Sequence, residues 1–286
     1  MTASSLPAQA PSSLSVSVVV YRPDLAVLEQ TLETLLASAV EAQRRKALSS
    51  VSVCVVHNAL APNPALTGLM VRMGDSAREA GINLELQEGH GNVGYGRGHN
   101  RVIRHIHSDY HLILNPDVVL GAATLMEGLG FMAAHPDIIA LSPAVDYPDG
   151  SKQYVCKRFP SVLDFVLRGF APRRIKAWFA QRLARYEMRD LPEDQASTDI
   201  PIISGCFMLF RTPALQAVQG FDERYFLYFE DFDLSLRVHS QGALAYLPTM
   251  HIQHLGGHSA RKGLRHIAMF VRSGIRFYNT HGWRFF

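Results

Sequence analysis

Between Gly220 and Arg237 the sequence sets five acids among six aromatics, in the run Gly-Phe-Asp-Glu-Arg-Tyr-Phe-Leu-Tyr-Phe-Glu-Asp-Phe-Asp-Leu-Ser-Leu-Arg. A carboxylate held against apolar rings loses water, and that loss raises its basicity. A general base working near neutral pH needs this. Glu230 and Asp231 are the candidates, with Asp233 and Arg237 following closely. A second carboxylate, Asp117, ends the run His111-Leu-Ile-Leu-Asn-Pro-Asp117. Leu112, Ile113 and Leu114 show no alternation, which suits a strand covered on both faces, and Asn115-Pro116 breaks it. Asp117 is therefore expected at the carboxyl edge of a buried strand, where open α/β sheets collect ligands, although a solvated turn would suit this segment alone. His251, His254 and His258 place three imidazoles within eight residues. Together with Asp117 they allow a mixed Asp/His metal site, although the spacing is no zinc signature.

A fourth stretch, Gly89-His-Gly-Asn-Val-Gly-Tyr-Gly-Arg-Gly-His-Asn100, has glycines that let backbone amides approach a ligand before a helix over about 99–107. Neither G-x-G-x-x-G nor G-K-S/T fits it, so it is neither a dinucleotide fingerprint nor a P-loop.

The elements that must position these groups alternate. Leu14–Val20 is expected as a strand, Leu25–Val40 as an amphipathic helix, Val51–Val56 as a strand, 65–80 as a helix and Asn83–Gln87 as a short strand. Such alternation predicts a parallel sheet with right-handed crossovers and helices on both faces. Beyond Asp117 the pattern predicts a helix over 122–134, a strand from Ile138, and a hairpin at Tyr147-Pro-Asp-Gly150. An apolar strand over 201–211, a helix over Leu234–Gln241 and a strand over Leu244–Leu247 follow, with His251–His258 as a turn.

With 286 residues, 48% of them hydrophobic, the chain can bury a sizeable core. Cys54, Cys156 and Cys206 are widely separated, which favours free thiols in a reducing compartment over a disulfide framework. Met1–Ser13 has neither a basic start nor an apolar core and is expected to be a loose leader; no run approaches the roughly 20 apolar residues of a membrane span. A cytoplasmic protein is expected. Residues 157–189 hold nine Lys/Arg against Asp164 and Glu187, and residues 261–286 hold six with no acid. These segments carry +13 of a net charge of +3, leaving −10 elsewhere, which suggests an anionic surface or partner beside them and calls for no nucleic acid. In the first, a helix starting at Pro172 would align Ile175, Trp178, Phe179, Leu183 and Tyr186. In the second, Leu264, Ile267, Ala268, Val271, Ile275 and Tyr278 fall in register. Both suit basic amphipathic helices lying on a membrane surface, or plain packing on the domain.

The ordered set Tyr21-x-Pro-Asp, Val-Val-x-Asn58, Asn92-x-Gly94, Leu-Asn115-Pro-Asp117, Ser204-Gly205, Gly-Phe-Asp-Glu223, Tyr-Phe-Glu230-Asp231-x-Asp233-Leu-x-x-Arg237 and a late His254 resembles the family 2 glycosyltransferases of GT-A fold, over about residues 14–260. Within that family it is most similar to bacterial rhamnosyltransferase-type enzymes of cell-surface polysaccharide assembly. The resemblance implies an α/β fold of GT-A (Rossmann-like) type with a mostly parallel sheet. Residues 157–189 would be a basic helical insertion and 261–286 a basic C-terminal helix. It further implies an inverting transfer from a nucleoside-diphosphate sugar, first choice rhamnose from a dTDP donor with UDP donors open, to a lipid-linked or core saccharide at the inner membrane face. Asp117 would meet Mg²⁺ or Mn²⁺ on the donor diphosphate and His254 would join it. Asp231 would be the base with Glu230 beside it. Tyr21, Arg22, His57, Asn58, Asn92, Gly94, Arg97 and Asn115 would lie along the donor, and Gly205, Asp233 and Arg237 along the acceptor.

Two positions depart from the family pattern. His57 stands where an Asp commonly contacts the pyrimidine. A carboxylate only accepts, whereas neutral imidazole accepts and donates, so recognition by His57 would weaken as the ring protonates. Arg22 stands where Asn is usual, and a fixed cation there could reach a phosphate. A nucleotidyltransferase would share the nucleotide-binding half, but it usually shows a Gly-rich basic loop after the first strand, where only Tyr21-Arg22-Pro23 occurs. A degenerate sugar- or lipid-binding scaffold is the non-enzymatic rival. His57 favours it, and the retention of Asp117, Glu230 and Asp231 opposes it.

Overall fold

The computed structural model describes residues 11–256 and 263–286. The first half alternates: β1 (Ser12–Val20), α1 (Leu25–Arg44), β2 (Leu48–His57), α2 (Pro64–Glu79), β3 (Ile82–Gln87), α3 (Tyr95–Ile103), β4 (Tyr110–Leu114). β5 (Val118–Leu120), α4 (Thr124–Ala134), β6 (Ile138–Asp146) and β7 (Cys156–Lys157) follow. Three short helices, α5 (Val162–Phe170), α6 (Arg173–Trp178) and α7 (Ala180–Tyr186), precede β8 (Ile202–Ile203), β9 (Phe207–Arg211) and α8 (Thr212–Ala217). α9 (Glu230–Val238), β10 (Ala243–His254) and α10 (Leu264–His281) complete the chain.

Eight strands form one sheet in the order β3-β2-β1-β4-β9-β6-β10-β5, and β7 pairs with β8 separately. β3, β2, β1 and β4 are mutually parallel, as are β6 and β10, whereas β9 and β5 run antiparallel to their neighbours. Strand pairing therefore brings the ends of β1, β2, β3, β4, β6 and β10 and the start of β9 to one edge. Asp117 and His254 depend directly on that edge. Val16, Val18 and Val20 of β1 pack with Leu28, Leu32 and Leu35 of α1 and with Leu125 and Leu129 of α4. Val19, pointing to the other face, joins Val102 of α3. Both faces are thus covered, and α1 starts where the Asp24 carboxylate accepts the amides of Ala26 and Val27.

Several boundaries differ from the sequence expectation. Ser12 and Ser13 belong to β1 rather than to a loose leader, because Asp109 accepts from both the Ser13 amide and its hydroxyl at 2.7 Å; residues 1–10 lie outside the described residues. The glycine-rich stretch is itself helical from Tyr95. The helix expected from Pro172 breaks at Phe179 into α6 and α7, so Leu183 and Tyr186 are buried while Ile175 and Trp178 stay exposed. Residues 201–211 split at Ser204-Gly205 into two strands of different sheets. β10 runs on through His254, so His251 and His254 are strand residues rather than part of a turn, and His258 lies outside the described residues.

Candidate active site

Asp117 follows β4, and its backbone carbonyl accepts from the Leu255 amide at 2.8 Å, tying the end of β10 to this turn. Its carboxylate Oδ1 lies 3.3 Å from His254 Nε2, yet this oxygen is buried without a hydrogen-bond partner among the described residues. Gln153 Oε1 sits 3.0 Å from His254 Nδ1, which places the ring proton there and leaves Nε2 as a lone pair. Asn115 Nδ2 donates toward Nε2 at 3.4 Å. A proton on Nε2 would make this contact an ion pair; with Nε2 as a lone pair, the two acceptors at 3.3 Å suit a hard divalent cation with open positions. No cluster of three or more metal-ligating His, Cys, Asp or Glu occurs among the described residues, so a cation here would draw its other ligands from substrate or water. The chain at Gly256 passes so close that an added Cβ would stand 1.8 Å from Asp117 Oδ2.

Asp231 is held on the other side of β9. The Asn115 amide donates to the Cys206 carbonyl at 2.9 Å, and the adjacent Gly205 amide donates to Asp231 Oδ2 at 2.9 Å. Asp231 Oδ1 also accepts from the Phe232 amide at 3.0 Å. Tyr95 closes the gap: its hydroxyl donates to the Gly205 carbonyl at 2.6 Å. Burial drives the Tyr95 phenol well above its usual range, and the charges of Glu230, Asp231 and Asp117 push it further. The buried Cys206 thiol is pushed up to about 12, chiefly by burial, with contributions from Asp117 and Asp231. Asp117 and Asp231 therefore share one edge, joined by Asn115, Cys206 and Gly205.

Glu230 and Asp231 form the first turn of α9, not the loop before it. The helix starts there because Tyr228 and Phe229 adopt left-handed backbone (φ 71° and 65°), which costs on the order of 1–3 kcal/mol per residue and persists only under tight packing. Phe229 supplies that packing, with edge-on or tilted contacts to Phe165, Phe232, Phe270 and Phe277. Burial raises the pKa of both acids. The Glu230 carboxyl is raised further by the Asp231 charge, and its Oε2 has no partner. The amides of Gly205 and Phe232 oppose the rise at Asp231. The proton the pair retains thus belongs on Glu230, and the anion on Asp231.

The other expected residues sort by place. Asn58 donates to the Gly94 carbonyl at 2.8 Å and accepts from His90 at 3.0 Å, locking the glycine stretch to the end of β2. Gly94 itself has φ 94°, and a Cβ there would meet the Phe226 carbonyl oxygen. Asn92 Oδ1 accepts the Gly94 amide. His57 is buried with Glu88 Oε2 3.3 Å from Nδ1, so a carboxylate stands beside this edge after all, from the end of β3. Tyr21 is exposed with the Arg22 guanidinium over its ring, and Arg22 takes φ 51°. Arg97 pairs with Glu223 away from Asp117 and Asp231. Asp233 and Arg237 carry a structural load. Asp233 is fully buried and accepts from Arg237 Nε at 2.7 Å and His281 Nε2 at 2.8 Å, while Arg237 also donates to the Val218 and Gly220 carbonyls. His251 pairs with Asp146 at 2.7 Å instead of Asp117. Sequence reasoning missed Tyr95, Gln153 and Gly256. Tyr95 and Gly256 lie inside glycine stretches where backbone approach, not chemistry, was the visible signal.

Residues 11–268 match the family described as glycosyltransferase-like family 2. The chain belongs to that family. It is 32% identical over 209 residues to N-acetylglucosaminyl-diphospho-decaprenol L-rhamnosyltransferase of Mycobacterium tuberculosis, a match covering 67% of this chain and 65% of that protein. It is 29% identical over 182 residues to rhamnosyltransferase WbbL of Escherichia coli K12, covering 58% and 63%. The matched part is thus just under two thirds of either relative. Among solved structures, GalNAc-T7 with UDP, GalNAc and Mn²⁺ superposes with a TM-score of 0.63 at 10% identity, over 94% of this chain and 48% of that one. The Pyrobaculum calidifontis mannosyltransferase PcManGT with GDP-Man and Mn²⁺ gives 0.59 at 16%, over 93% and 65%. These neighbours share the GT-A fold, including its mostly parallel, helix-covered sheet.

Proposed function

We propose that this chain is an inverting, nucleotide-sugar-dependent glycosyltransferase that moves L-rhamnose from a nucleoside-diphosphate donor, first choice dTDP, onto a lipid-linked saccharide. The observation that carries the reading is the meeting of Asp117 and Asp231 on one sheet edge, joined by Asn115, Cys206 and Gly205. Rhamnose and a lipid-linked acceptor are favoured by the names of the two relatives.

Asp117 and His254 would hold the divalent cation, which when bound neutralises charge on the leaving diphosphate. Asp231 accepts the proton of the acceptor hydroxyl as that oxygen attacks the anomeric carbon. The bond from that carbon to the diphosphate breaks with its electron pair on the leaving group, and one displacement inverts the centre. Amides of Gly205 and Phe232 fix the Asp231 carboxylate, and the protonated Glu230 beside it removes a competing charge. The glycine stretch at Asn92–Gly94, with His57, Asn58 and Glu88, would line the donor at the sheet edge, as would Tyr21 and Arg22.

The membrane is where the acceptor would be met. α10 exposes Leu264, Ile267, Val271 and Ile275 on one stripe, and Arg265 and Arg272 are exposed on the same helix. No described helix is long and apolar enough to cross a membrane. This stripe would lie flat on the bilayer, with the cytoplasmic face as the side of the reaction. The deciding experiment is a thermal-shift panel of nucleotide sugars with Mn²⁺ or Mg²⁺. dTDP-rhamnose should stabilise the protein most, with the effect removed by chelator. Stabilisation by a nucleoside triphosphate and sugar phosphate, but by no nucleotide sugar, would turn the reading to a nucleotidyltransferase.

A further inference from the structure

A second site lies apart from the sheet edge, between the N-terminus of α5, α7 and the segment after α10. There a cavity of about 520 Å³ is lined by Arg158, Arg182, Arg185, Arg284, Phe159 and Phe286. Two of the four guanidiniums are already neutralised. Arg182 donates to Asp164 and to the Ser161 hydroxyl at 2.7 Å each, and Arg158 is paired with Asp190 at 2.9 Å. Asp164 is buried and is also the capping partner of Ser161, so Arg182 is fixed as wall rather than as free donor. Arg185 and Arg284 have no carboxylate partner among the described residues. The Arg284 guanidinium carbon lies over the Phe159 ring, 4.4 Å from its centre, a contact that uses none of its N–H donors.

The cavity is built rather than incidental. The Val162 amide donates to the Arg284 carbonyl at 2.8 Å and the Leu163 amide to the Phe285 carbonyl at 3.2 Å, so the residues after α10 are strapped across the start of α5. That strap, held further by Trp283 stacked on Tyr278, keeps Arg284 in the lining of the same cavity as Arg185. Cations gathered round a cavity with one buried carboxylate in its wall repel each other until an anion joins them. A planar fork of N–H donors suits tetrahedral phosphate oxygens, and the lining rings tolerate an apolar group beside them.

We infer that this cavity binds a phosphate group, held by Arg185 and Arg284, either as a soluble phosphate compound or as the headgroup phosphate of an anionic lipid. The inference goes beyond the transferase reading and does not depend on Asp117 or Asp231. The test uses the full chain in chelator, which disables metal-dependent donor binding, with two probes: inorganic pyrophosphate in a thermal-shift titration, and phosphatidylglycerol against phosphatidylcholine vesicles in co-sedimentation.

Wild type should gain on the order of 3 °C with saturating pyrophosphate. Arg185→Gln/Arg284→Gln should lose the gain, whereas Asp117→Asn should keep it. If the double variant instead loses at least half of its binding to phosphatidylglycerol vesicles, the phosphate is a lipid's. Should the double variant not fold, Gln181→Glu, which brings a carboxylate to the same lining from an exposed position, should give the same losses. Identical pyrophosphate response and vesicle binding in wild type and variants, or no response in wild type to either probe, would overturn the inference.

Discussion

Asp117 and Asp231 are the same side chain in opposite surroundings. Asp231 sits in the first turn of a helix, with the amides of Gly205 and Phe232 on its two oxygens and aromatic rings behind it. Among the described residues no amide donates to the Asp117 carboxylate, and one oxygen is left unpartnered opposite His254 Nε2. A carboxylate stabilised by fixed donors can hold a proton briefly and return to the anion, whereas one facing only acceptors waits for a cation. Environment, not residue type, divides the roles.

The comparison is most open to attack at Asp231. Asp231→Asn keeps the shape but cannot take a proton, and its NH₂ can accept from neither amide, so one of the two amide contacts is lost; turnover should fall roughly 10²–10⁴-fold. Donor affinity, measured by calorimetry, should stay within about threefold on the same view of a base acting only in the transition state. Equal losses in both would show that Asp231 is a binding or folding residue. The cation side should respond the other way. Asp117→Ala should weaken metal-dependent donor binding on the order of 100-fold, with no effect on the small affinity left in chelator. Gly256→Ala probes the same contact without touching a ligand: its methyl meets Asp117 Oδ2, so it should reproduce about tenfold of that loss. An unchanged Gly256→Ala would mean that the Asp117 carboxylate is free to move.

Glu230 sharpens the division within one helix turn. If Glu230 carries the proton, Gln mimics it, and Glu230→Gln should retain activity within about tenfold while Asp231→Asn does not. Because burial raises Asp231, activity in both wild type and Glu230→Gln should fall on the acid side at a pH above the ordinary carboxylate range, as the base protonates. A pH profile of kcat/KM for Glu230→Gln as low as that of Asp231→Asn would reverse the two assignments.

Much of this edge was visible in the sequence. Unalternating apolar strands, breakers at Asn115-Pro116 and helical periodicity in Leu28, Leu32 and Leu35 depend on local chemistry, and they placed Asp117 at a strand end. Strand direction depends instead on where the chain returns. Nothing in Phe207–Arg211 distinguishes an antiparallel strand from a parallel one, yet its reversal brings Gly205 to Asp231. The start of α9 was hidden because two aromatic residues take a glycine-like backbone, and only long-range packing by Phe165, Phe270 and Phe277 allows that. Asp233 and Arg237 were indistinguishable by type from ligand-contacting residues, because the partners that engage them, His281 and the Val218 and Gly220 carbonyls, come from distant parts of the chain. His57 was legible as a departure from the family pattern, while its partner Glu88 was not, because the two lie on neighbouring strands.

The smallest effect extends the same contrast from carboxylates to imidazoles. His254 stands at the edge, whereas His99 and His111 lie in the interior, joined through Ser17 at 2.7 and 2.8 Å, with Ser15 on the other nitrogen of His111 at 2.7 Å. Burial drives His111 down to about 3 and His99 well below its usual value, the latter with a further push from His111. Both rings are neutral in the folded protein. In the unfolded chain they protonate near pH 6.5, so the unfolded state binds more protons below that value. Stability should therefore hold above pH 6.5 and decline steadily as pH falls toward 4, by a few kcal/mol in all. A doubly substituted His99→Gln/His111→Gln protein, less stable at pH 7.5, should show a flatter denaturant midpoint between pH 6.5 and 4. A slope as steep as that of wild type would move the acid sensitivity to other groups and leave the buried pair a packing feature.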